Sequence, residues 1–365
     1  MTEAPTVVLA GGGTAGHINP MLAIARAIQE REPAASILTV GTEDGMEARL
    51  IPAAGYEIAY IPRVPFPRRP NMAALKFPVA FVRSLQQAKK ILTDAGADVV
   101  VGVGGYVCTP MYLAAHKLGI PVIIHEANAK PGLANKVGAK KAALVATAFP
   151  ETPLPGARTV GMPMRQNVAN LDRAAEQAGA RERLGLDIST PTVVVTGGSL
   201  GALSMNKAVS EIIDEIHEAG YQMLHITGRG KALKDAHGQL REAPGYKQVE
   251  FITSMEDVYA AADLMVVRSG AATVSEVAAV GVPAIFVPLP IGNGEQALNA
   301  SSLVAAGAGI LVKDSDFTAE WYRANVPALL ADSEHLSQMA EKSYQHGIRD
   351  AAYVMADEVL KAARA

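Results

Sequence analysis

The chain has few of the residues that build disulfide frameworks, thiolate clusters or aromatic cores. Its 365 residues include one cysteine, Cys108, which excludes an internal disulfide and a multi-thiolate metal site and is typical of a reducing compartment. A lone cysteine is more often a small core residue than a nucleophile. Aromatic residues make up only 5% of the chain and hydrophobic residues 49%, so the interior should consist of valine, isoleucine, leucine and alanine, as around buried parallel strands.

Long apolar runs and a surplus of basic charge are also missing. No segment reaches the roughly 18 consecutive apolar residues that a membrane-spanning helix requires. The N-terminus lacks the basic and apolar regions of a signal peptide, so we expect none. The formal charge of −3 provides no overall attraction to nucleic acid, which we do not expect as a partner.

Short apolar runs alternate with helical segments along the whole chain, which predicts an α/β protein. Two stretches, "VVLAGGGTAG" and "VVVTGGSLGA", each combine a strand, a glycine turn and the start of a helix. We therefore predict two Rossmann-like domains with parallel sheets that face each other across a cleft. The first spans residues 1–163 and the second 164–344, and a C-terminal helix at about 345–365 is expected to pack back on the first domain.

Twelve apolar segments are predicted as strands. They lie at 6–10, 37–41, 57–61, 98–102, 121–125 and 143–147 in the first domain, and at 192–197, 221–227, 249–252, 263–267, 283–287 and 309–312 in the second. Because the carboxyl ends of parallel strands meet at one edge of a sheet, the turns after these strands should form the ligand-binding edge.

The first glycine turn allows two interpretations. Gly11, Gly13 and Gly16 satisfy the G-x-G-x-x-G pattern of dinucleotide-binding proteins, and Glu43 or Asp44 could bind the ribose of NAD(P). The second glycine turn, at 197–201, favours another interpretation. A donor bound mainly by one domain and an acceptor bound by the other would explain two phosphate-binding turns better than one dinucleotide does.

Two histidines are candidates for a general base. His17 begins the predicted helix "HINPMLAIARAIQE", whose apolar stripe faces the core and leaves the histidine at the ligand-binding edge. His125 ends the predicted strand at 121–125 and is the alternative. Either histidine could instead have a structural role in its own loop.

For the acidic and basic candidates, the sequence alone allows either a ligand contact or an ordinary structural position. Glu276 lies in the helix after the strand at 263–267, where a carboxylate can accept hydrogen bonds from a ribose diol or simply face solvent. Arg165 suits a nucleotide phosphate or a surface position. Asp314, Ser315 and Asp316 form the D-x-D pattern of some metal-dependent enzymes, but they precede a helix, so we predict helix capping and no metal site.

Six motifs connect the chain to a known family. In chain order they are "GGTAGH", "HEANAKPGLANK", "GMPMR", "GGSLGA", "RSGAATVSE" and "GEQALNA". With these motifs the chain closely resembles the MurG family of bacterial glycosyltransferases, from the first strand to about Ala300. The resemblance implies a GT-B fold and inverting transfer of GlcNAc from UDP-GlcNAc to the 4-hydroxyl of MurNAc-pentapeptide on undecaprenyl diphosphate. This step converts lipid I to lipid II in peptidoglycan synthesis, which supports cell shape and cell division, and it implies no cofactor.

The resemblance also implies a set of donor contacts. These are Thr14, Ala15, Gly16, Asn128, Arg165, Ser199, Ile252, Ala271, Ala272, Thr273, Val274, Ser275, Glu276 and Gln296. Glu276 would hold the ribose diol, Ile252 would offer its backbone to uracil, and the Ser199 turn would meet the diphosphate. Asn128 and Gln296 would bind GlcNAc hydroxyls, and His17 is our choice of base. The chain departs from the family at Ala15, where Gly is frequent, and at Leu200, where Gln is frequent. It also has Glu295 where some members have a second Gln, and this last difference leaves one sugar contact unassigned.

A basic and apolar stretch is the predicted membrane-docking region. Residues 58–93 contain no acidic side chain and seven basic ones. Composition alone favours a solvent-exposed helix broken by Pro78, whereas the resemblance favours docking on the anionic inner face of the cell membrane. The residues assigned to membrane or acceptor contact are Arg68, Arg69, Lys76, Phe77, Phe81 and Arg83.

These inferences place the protein at the cytoplasmic side of the bacterial cell membrane, as a peripheral enzyme. We expect UDP-GlcNAc and lipid I as substrates, and cell-wall or cell-division proteins as partners. The alternatives are a UDP-GlcNAc 2-epimerase, an NAD(P) oxidoreductase and a non-catalytic UDP-sugar sensor. One assay with labelled UDP-GlcNAc and an acceptor analogue separates them.

Overall fold

The computed structural model describes residues 4–65, 72–198, 201–291 and 294–365, with only the backbone of 72–76. The chain divides into two compact units. The first contains Met1–Arg165 together with Arg349–Ala365, and the second contains Gln166–Ile348. Each unit is an α/β fold with its own parallel sheet and its own apolar core.

The first unit is built on a seven-stranded parallel sheet. Its strands are β1 (Thr6–Ala10), β2 (Ser36–Gly41), β3 (Glu57–Tyr60), β4 (Val99–Gly102), β5 (Val122–Glu126), β6 (Leu144–Thr147) and β7 (Ala157–Thr159). Their spatial order is β3-β2-β1-β4-β5-β6-β7. The chain order changes direction between β1 and β4, which makes their carboxyl ends the switch point where ligands of such sheets bind.

Helices cover both faces of this sheet. They are α1 (Ala15–Arg31), α2 (Glu47–Ala53), α3 (Met72–Ala95), α4 (Cys108–Leu118) and α5 (Leu133–Gly138), with the C-terminal helix (Ala351–Ala363). Successive strand residues point to opposite faces. Val7 and Leu9 therefore pack with Ile24 on one side, while Val8 packs with Met111 on the other. Burial on both faces explains why the strands consist of continuous apolar runs.

The C-terminal helix is part of the first unit. Its Met355 is fully buried in the same core as Ile24 of α1. At the rim, the Tyr353 hydroxyl donates to Glu30 at 2.6 Å, and the Arg31 guanidinium lies 4.9 Å from the centre of the Tyr353 ring. Arg31 also forms an ion pair with Asp357 at 3.2 Å. The last helix thus completes the first core although the second unit separates them in sequence.

The second unit repeats the plan with six parallel strands in the order β10-β9-β8-β11-β12-β13. The strands are β8 (Thr192–Thr196), β9 (Gln222–Ile226), β10 (Tyr246–Val249), β11 (Leu264–Val267), β12 (Ala284–Phe286) and β13 (Gly309–Leu311). Its helices are α6 (Gln166–Ala169), α7 (Arg173–Arg183), α8 (Leu203–Ser210), α9 (Met255–Ala261), α10 (Ala271–Val280), α11 (Glu295–Asn299), α12 (Ser301–Ala305), α13 (Ala319–Ala331) and α14 (Ser333–His346), which makes the C-terminal helix α15. The switch point lies between β8 and β11.

Three local predictions were wrong. The strand predicted at 249–252 lies at Tyr246–Val249, where it forms the polar edge of its sheet next to β9. Pro78 does not break α3, since the helix runs through it from Met72 to Ala95. The D-x-D pattern does not cap α13. Thr318 does so, by accepting a hydrogen bond from the Trp321 amide at 3.2 Å.

No helix among the residues described here combines the length and the apolarity that crossing a bilayer requires.

A buried histidine makes the second unit sensitive to acid. His225 on β9 is fully buried, with its ring nitrogens 2.9 Å from the Tyr246 hydroxyl and 3.1 Å from Asn206 Oδ1. Burial lowers the pKa of His225 from 6.5 to about 4. Between these values the unfolded chain binds a proton that the folded chain does not, so stability is fully present above pH 6.5 and falls as the pH decreases toward 4.

We expect the free energy of unfolding to fall by about 2 kcal/mol from pH 7 to pH 5 because of this histidine. The slope below pH 6.5 is about 1.4 kcal/mol per pH unit. Guanidinium unfolding at both pH values measures the loss. The His225→Gln variant should lose correspondingly less than the wild type over this range, although it starts less stable. His237→Gln, at an exposed position, is the matched control and should behave like the wild type. Equal losses in wild type and His225→Gln would contradict the assignment.

Candidate functional site

The switch point of the first unit is surrounded by glycine turns. β1 continues into Gly11–Gly13 and β4 into Gly104–Gly105, and the Val103 amide donates to the Ala10 carbonyl at 3.0 Å. Thr14 is the N-cap residue of α1, with extended backbone (φ −146°, ψ 155°). The N-terminus of α1 therefore begins directly after the first turn, and its first amides lie at the ligand-binding edge of the sheet.

His17 lies in the first turn of α1 and is half-buried. Its Nδ1 is 2.9 Å from the Gly12 carbonyl oxygen. Because a carbonyl can only accept, Nδ1 carries a proton in this contact, and in the neutral ring the lone pair is therefore on Nε2. Nε2 faces Gly104, where an added Cβ would lie only 2.9 Å away, and the positive φ of Gly104 (+106°) also favours glycine. The geometry suits a general base that accepts a proton at Nε2.

The alternative base, His125, has a different environment. It is fully buried on β5, and its Nε2 donates to the Gly161 carbonyl at 2.8 Å. Burial lowers its pKa, since desolvation disfavours the charged ring. A ring that is enclosed and tied to the segment after β7 suits a structural role, so the contacts favour His17 as the base.

Glu126 organises the loop that carries Asn128. This carboxylate is almost fully buried at the end of β5 and accepts from the Asn128 amide, the Gly132 amide and Asn135 Nδ2, each at 2.9 Å. Asn135 Oδ1 in turn accepts from the Tyr112 hydroxyl at 2.8 Å. Glu126 lies within the motif "HEANAKPGLANK" but is not among the residues predicted for the site. A carboxylate at a strand end, followed by Asn and Gly, was the available signal.

In the second unit, the predicted donor residues gather at the start of α10. Gly270 is its N-cap residue with extended backbone, so the predicted run from Ala271 to Glu276 forms the first turns of the helix. Val274 is 1% exposed in the core, so its side chain cannot reach a ligand. Ser199 and Leu200 lie outside the described residues. The N-terminus of α10 offers amide donors to a phosphate or a sugar.

Two predicted polar contacts have defined partners in this unit. The Tyr259 hydroxyl donates to Glu276 Oε2 at 2.6 Å, which orients a half-buried carboxylate. Gln296 on α11 accepts a hydrogen bond from the Leu289 amide at 2.9 Å and so holds the loop after β12. Ile252 follows β10 at the carboxyl end of the sheet. These positions are compatible with contacts to ribose, sugar and base at one edge of the second sheet.

Arg268, which directly follows β11, is a buried polar residue that was not predicted from the sequence. Its guanidinium is nearly buried and bonds Asp314 at 2.6 Å, the Ser204 hydroxyl at 2.9 Å and the Val287 carbonyl at 3.0 Å. Asp314 of the D-x-D pattern is thus engaged in an ion pair. Among the described residues, no three histidine, cysteine, aspartate or glutamate side chains are grouped so that they could hold a metal ion.

The predicted membrane-facing residues belong mostly to α3 and the segment before it. Arg68 and Arg69 lie outside the described residues, as does the side chain of Lys76. Phe77 and Phe81 stack on each other with ring centres 5.4 Å apart, and Arg83 is exposed. Val79 and Val82 on the same helix are 61% and 51% exposed, which is unusual for apolar side chains so close together.

Comparison with known proteins agrees with this architecture. The profile of the glycosyltransferase family 28 N-terminal domain matches residues 7–147, and that of the family 28 C-terminal domain matches residues 192–355.

Relatives match over nearly the full length. A UDP-N-acetylglucosamine--N-acetylmuramyl-(pentapeptide) pyrophosphoryl-undecaprenol N-acetylglucosamine transferase from Paenarthrobacter aurescens (strain TC1) is 60% identical, over 99% of this chain and 97% of the relative. The transferase of the same name from Streptomyces avermitilis is 48% identical, over 98% of both chains.

Among solved structures, Acinetobacter baumannii MurG superimposes with a TM-score of 0.79 at 29% identity, covering 98% of this chain and 99% of that one. The two parallel-sheet units are those of the GT-B fold. The chain belongs to glycosyltransferase family 28, in the group that contains MurG.

Proposed function

We propose that this protein transfers GlcNAc from UDP-GlcNAc to the 4-hydroxyl of MurNAc-pentapeptide on undecaprenyl diphosphate, and so converts lipid I to lipid II. One observation carries the assignment: 60% identity over 99% of the chain to a transferase named for this donor and acceptor. Identity at this level along both units leaves little room for the epimerase, oxidoreductase and sensor alternatives.

The second unit supplies the donor contacts in this proposal. The α10 N-terminus and the turn after β8 would bind the diphosphate through backbone amides, without a cation as intermediary. Glu276, oriented by Tyr259, would accept hydrogen bonds from both ribose hydroxyls. Ile252 would present its backbone to uracil. Gln296 would form a hydrogen bond with a GlcNAc hydroxyl. In the first unit, Asn128 and residues Thr14–Gly16 are further proposed contacts to UDP-GlcNAc.

The first unit supplies the base. In the proposed reaction His17 Nε2 takes the proton from the acceptor 4-hydroxyl as its oxygen attacks the anomeric carbon of GlcNAc. The bond from that carbon to the UDP oxygen breaks in the same step, and UDP leaves with the electron pair. Arg165 and backbone amides offset the charge that develops on UDP. One displacement inverts the anomeric centre, so an α-linked donor gives a β-linked product.

Incubation with radiolabelled UDP-GlcNAc and a short-chain lipid I analogue tests the activity. We expect a labelled lipid-linked disaccharide and free UDP. UDP-ManNAc would indicate the epimerase, and binding without turnover would indicate the sensor.

We propose that α3 docks the enzyme on the anionic inner face of the cell membrane. Val79 and Val82 would enter the lipid boundary while Arg83 meets the headgroups.

Because burying one valine contributes about 1.5 kcal/mol or more, the double variant Val79→Glu/Val82→Glu should weaken binding to vesicles containing phosphatidylglycerol at least about tenfold. Vesicle flotation measures the bound fraction of the protein. Ile188→Glu, at an equally exposed apolar position in the second unit, is the matched control. Binding unaffected by the α3 change, or independent of anionic lipid, would reject the docking role.

A further inference from the structure

A buried carboxylate lies beside the glycine turn that holds His17. Glu47, the first residue of α2, has no exposed surface. Its Oε2 accepts from the Gly13 amide at 3.0 Å, and its Oε1 accepts from the Thr42 amide at 3.0 Å and the Thr42 hydroxyl at 2.7 Å. Both oxygens therefore face donors, and together they tie the turn after β1 to the loop after β2.

The surrounding backbone is shaped to admit this side chain. An added Cβ at Gly12, Gly41 or Gly45 would overlap atoms of Glu47. None of these three glycines has positive φ, so the space taken by the Glu47 side chain, and not backbone conformation, favours glycine there. The first glycine turn thus contacts Glu47 along one side.

The opposite side of the same turn is also fixed. Gly105, with φ of +98°, approaches so closely that its Cβ would lie 2.6 Å from the Gly12 carbonyl oxygen. That oxygen is the acceptor for His17 Nδ1 at 2.9 Å. The peptide that sets the proton position on His17 is therefore enclosed between the turn after β4 and the residues that Glu47 holds.

The carboxylate is suited to this task in its ionised form. Burial opposes ionisation of Glu47, but the hydrogen bonds from the Gly13 amide, its own amide and Thr42 outweigh it and lower the pKa below its ordinary value. An ionised carboxylate only accepts hydrogen bonds, which matches the amide and hydroxyl donors around it. A neutral amide in its place would turn an NH2 group toward the Gly13 or the Thr42 amide in either orientation.

We propose that Glu47 is a positioning residue for the reaction: it holds the Gly12–Gly13 peptide so that the Gly12 carbonyl keeps the His17 proton on Nδ1 and the lone pair on Nε2. This inference rests on the proposed role of His17 as base. Glu47 itself touches neither substrate in this account. Nothing in its sequence neighbourhood indicates the link, because Gly13 lies 34 positions earlier.

The ¹⁵N spectrum of the histidine side chains tests the claim without reference to activity. In the wild type, the His17 signals, assigned by difference from His17→Ala, should show a proton on Nδ1. In Glu47→Gln they should shift toward a mixture of tautomers. Glu57→Gln makes the same change at an exposed position on β3 and should leave the spectrum unchanged. An unaltered His17 spectrum in a folded Glu47→Gln protein would overturn the proposal.

A double-mutant cycle provides the kinetic test. Glu47→Gln should lower kcat about 10- to 100-fold with unchanged UDP-GlcNAc affinity, yet lower the residual rate of His17→Ala less than about threefold, because coupled residues are not additive. Equal reductions in both backgrounds would show that Glu47 does not act through His17. If Glu47→Gln fails to fold, Thr42→Val provides the test, because it removes the hydroxyl donor to Glu47. This variant should produce a smaller change in the same direction, in both kcat and the spectrum. No change in either would also overturn the proposal.

The two proposals fail in different ways. Full activity of His17→Ala would reject His17 as base, but the spectrum would still decide whether Glu47 sets its tautomer. A large loss in His17→Ala with an inert Glu47→Gln would reject only the positioning role.

Discussion

Replacing His17 with alanine is expected to lower kcat about 100- to 10,000-fold, the range for loss of a general base. The expectation follows from the 2.9 Å contact of Nδ1 with the Gly12 carbonyl, which leaves Nε2 as the proton acceptor at the switch point of the first sheet. Alanine at this position removes the acceptor without leaving a buried charge. Steady-state transfer assays measure the change.

Donor affinity separates a lost base from a lost fold. Calorimetry with UDP-GlcNAc should give nearly the same Kd for His17→Ala and the wild type, because the main proposed donor contacts belong to the second unit. His237→Ala, at an exposed position, should keep both kcat and Kd. Near-normal turnover in His17→Ala would remove this residue as the base.

Replacing Glu276 with glutamine is expected to weaken UDP-GlcNAc binding about 10- to 100-fold. Hydrogen bonds to a charged acceptor contribute about 1.5–3 kcal/mol, and the proposed ribose contact loses its charge in this variant. The side-chain size stays the same, and the Tyr259 hydroxyl that now bonds the carboxylate at 2.6 Å can donate to the amide oxygen instead. Titration calorimetry gives the Kd.

The proposed contact between Glu276 and the ribose is tested more specifically by comparing UDP-GlcNAc with its 2′-deoxyribose analogue. The wild type should bind UDP-GlcNAc much more tightly than its 2′-deoxyribose analogue, and Glu276→Gln should bind the two nearly alike. Tyr259→Phe, which removes only the orienting hydroxyl, should show a smaller loss and keep most of the discrimination. If Glu276→Gln keeps the wild-type preference for the ribose form, the carboxylate does not contact the diol.

Central strands were predictable from sequence, as were the edge strands β3 and β13, but the edge strands β7 and β10 were not. β1, β4, β8 and β11 lie in the middle of their sheets and consist of apolar runs that the periodicity identifies directly. β7 and β10 are edge strands that carry polar residues; β7 is exposed at every position, and β10 is half-buried after Tyr246. The Gln248 side chain on β10 accepts a hydrogen bond from the Leu233 amide and donates one to the Leu233 carbonyl. An apolar pattern in the sequence does not indicate such a polar contact.

The sequence nominated candidate residues that lie within motifs, but not residues whose role depends on contacts distant in the chain. His17 and Glu276 stand directly beside glycine turns or helix starts, so position alone indicated them. Glu47 and Arg268 depend on partners 34 and 64 positions away, Gly13 and Ser204 respectively. The D-x-D pattern failed for the same reason, because Asp314 pairs with Arg268. Sequence spacing locates backbone turns well but does not show which buried charges support them.

The stereochemistry of the product tests the central claim most directly. Proton NMR of the disaccharide formed from UDP-GlcNAc and a lipid I analogue gives the anomeric configuration of the transferred sugar. A single displacement assisted by His17 predicts β-linked GlcNAc joined to the 4-position of MurNAc. An α-linked product, or release of free GlcNAc with no disaccharide, would contradict the account.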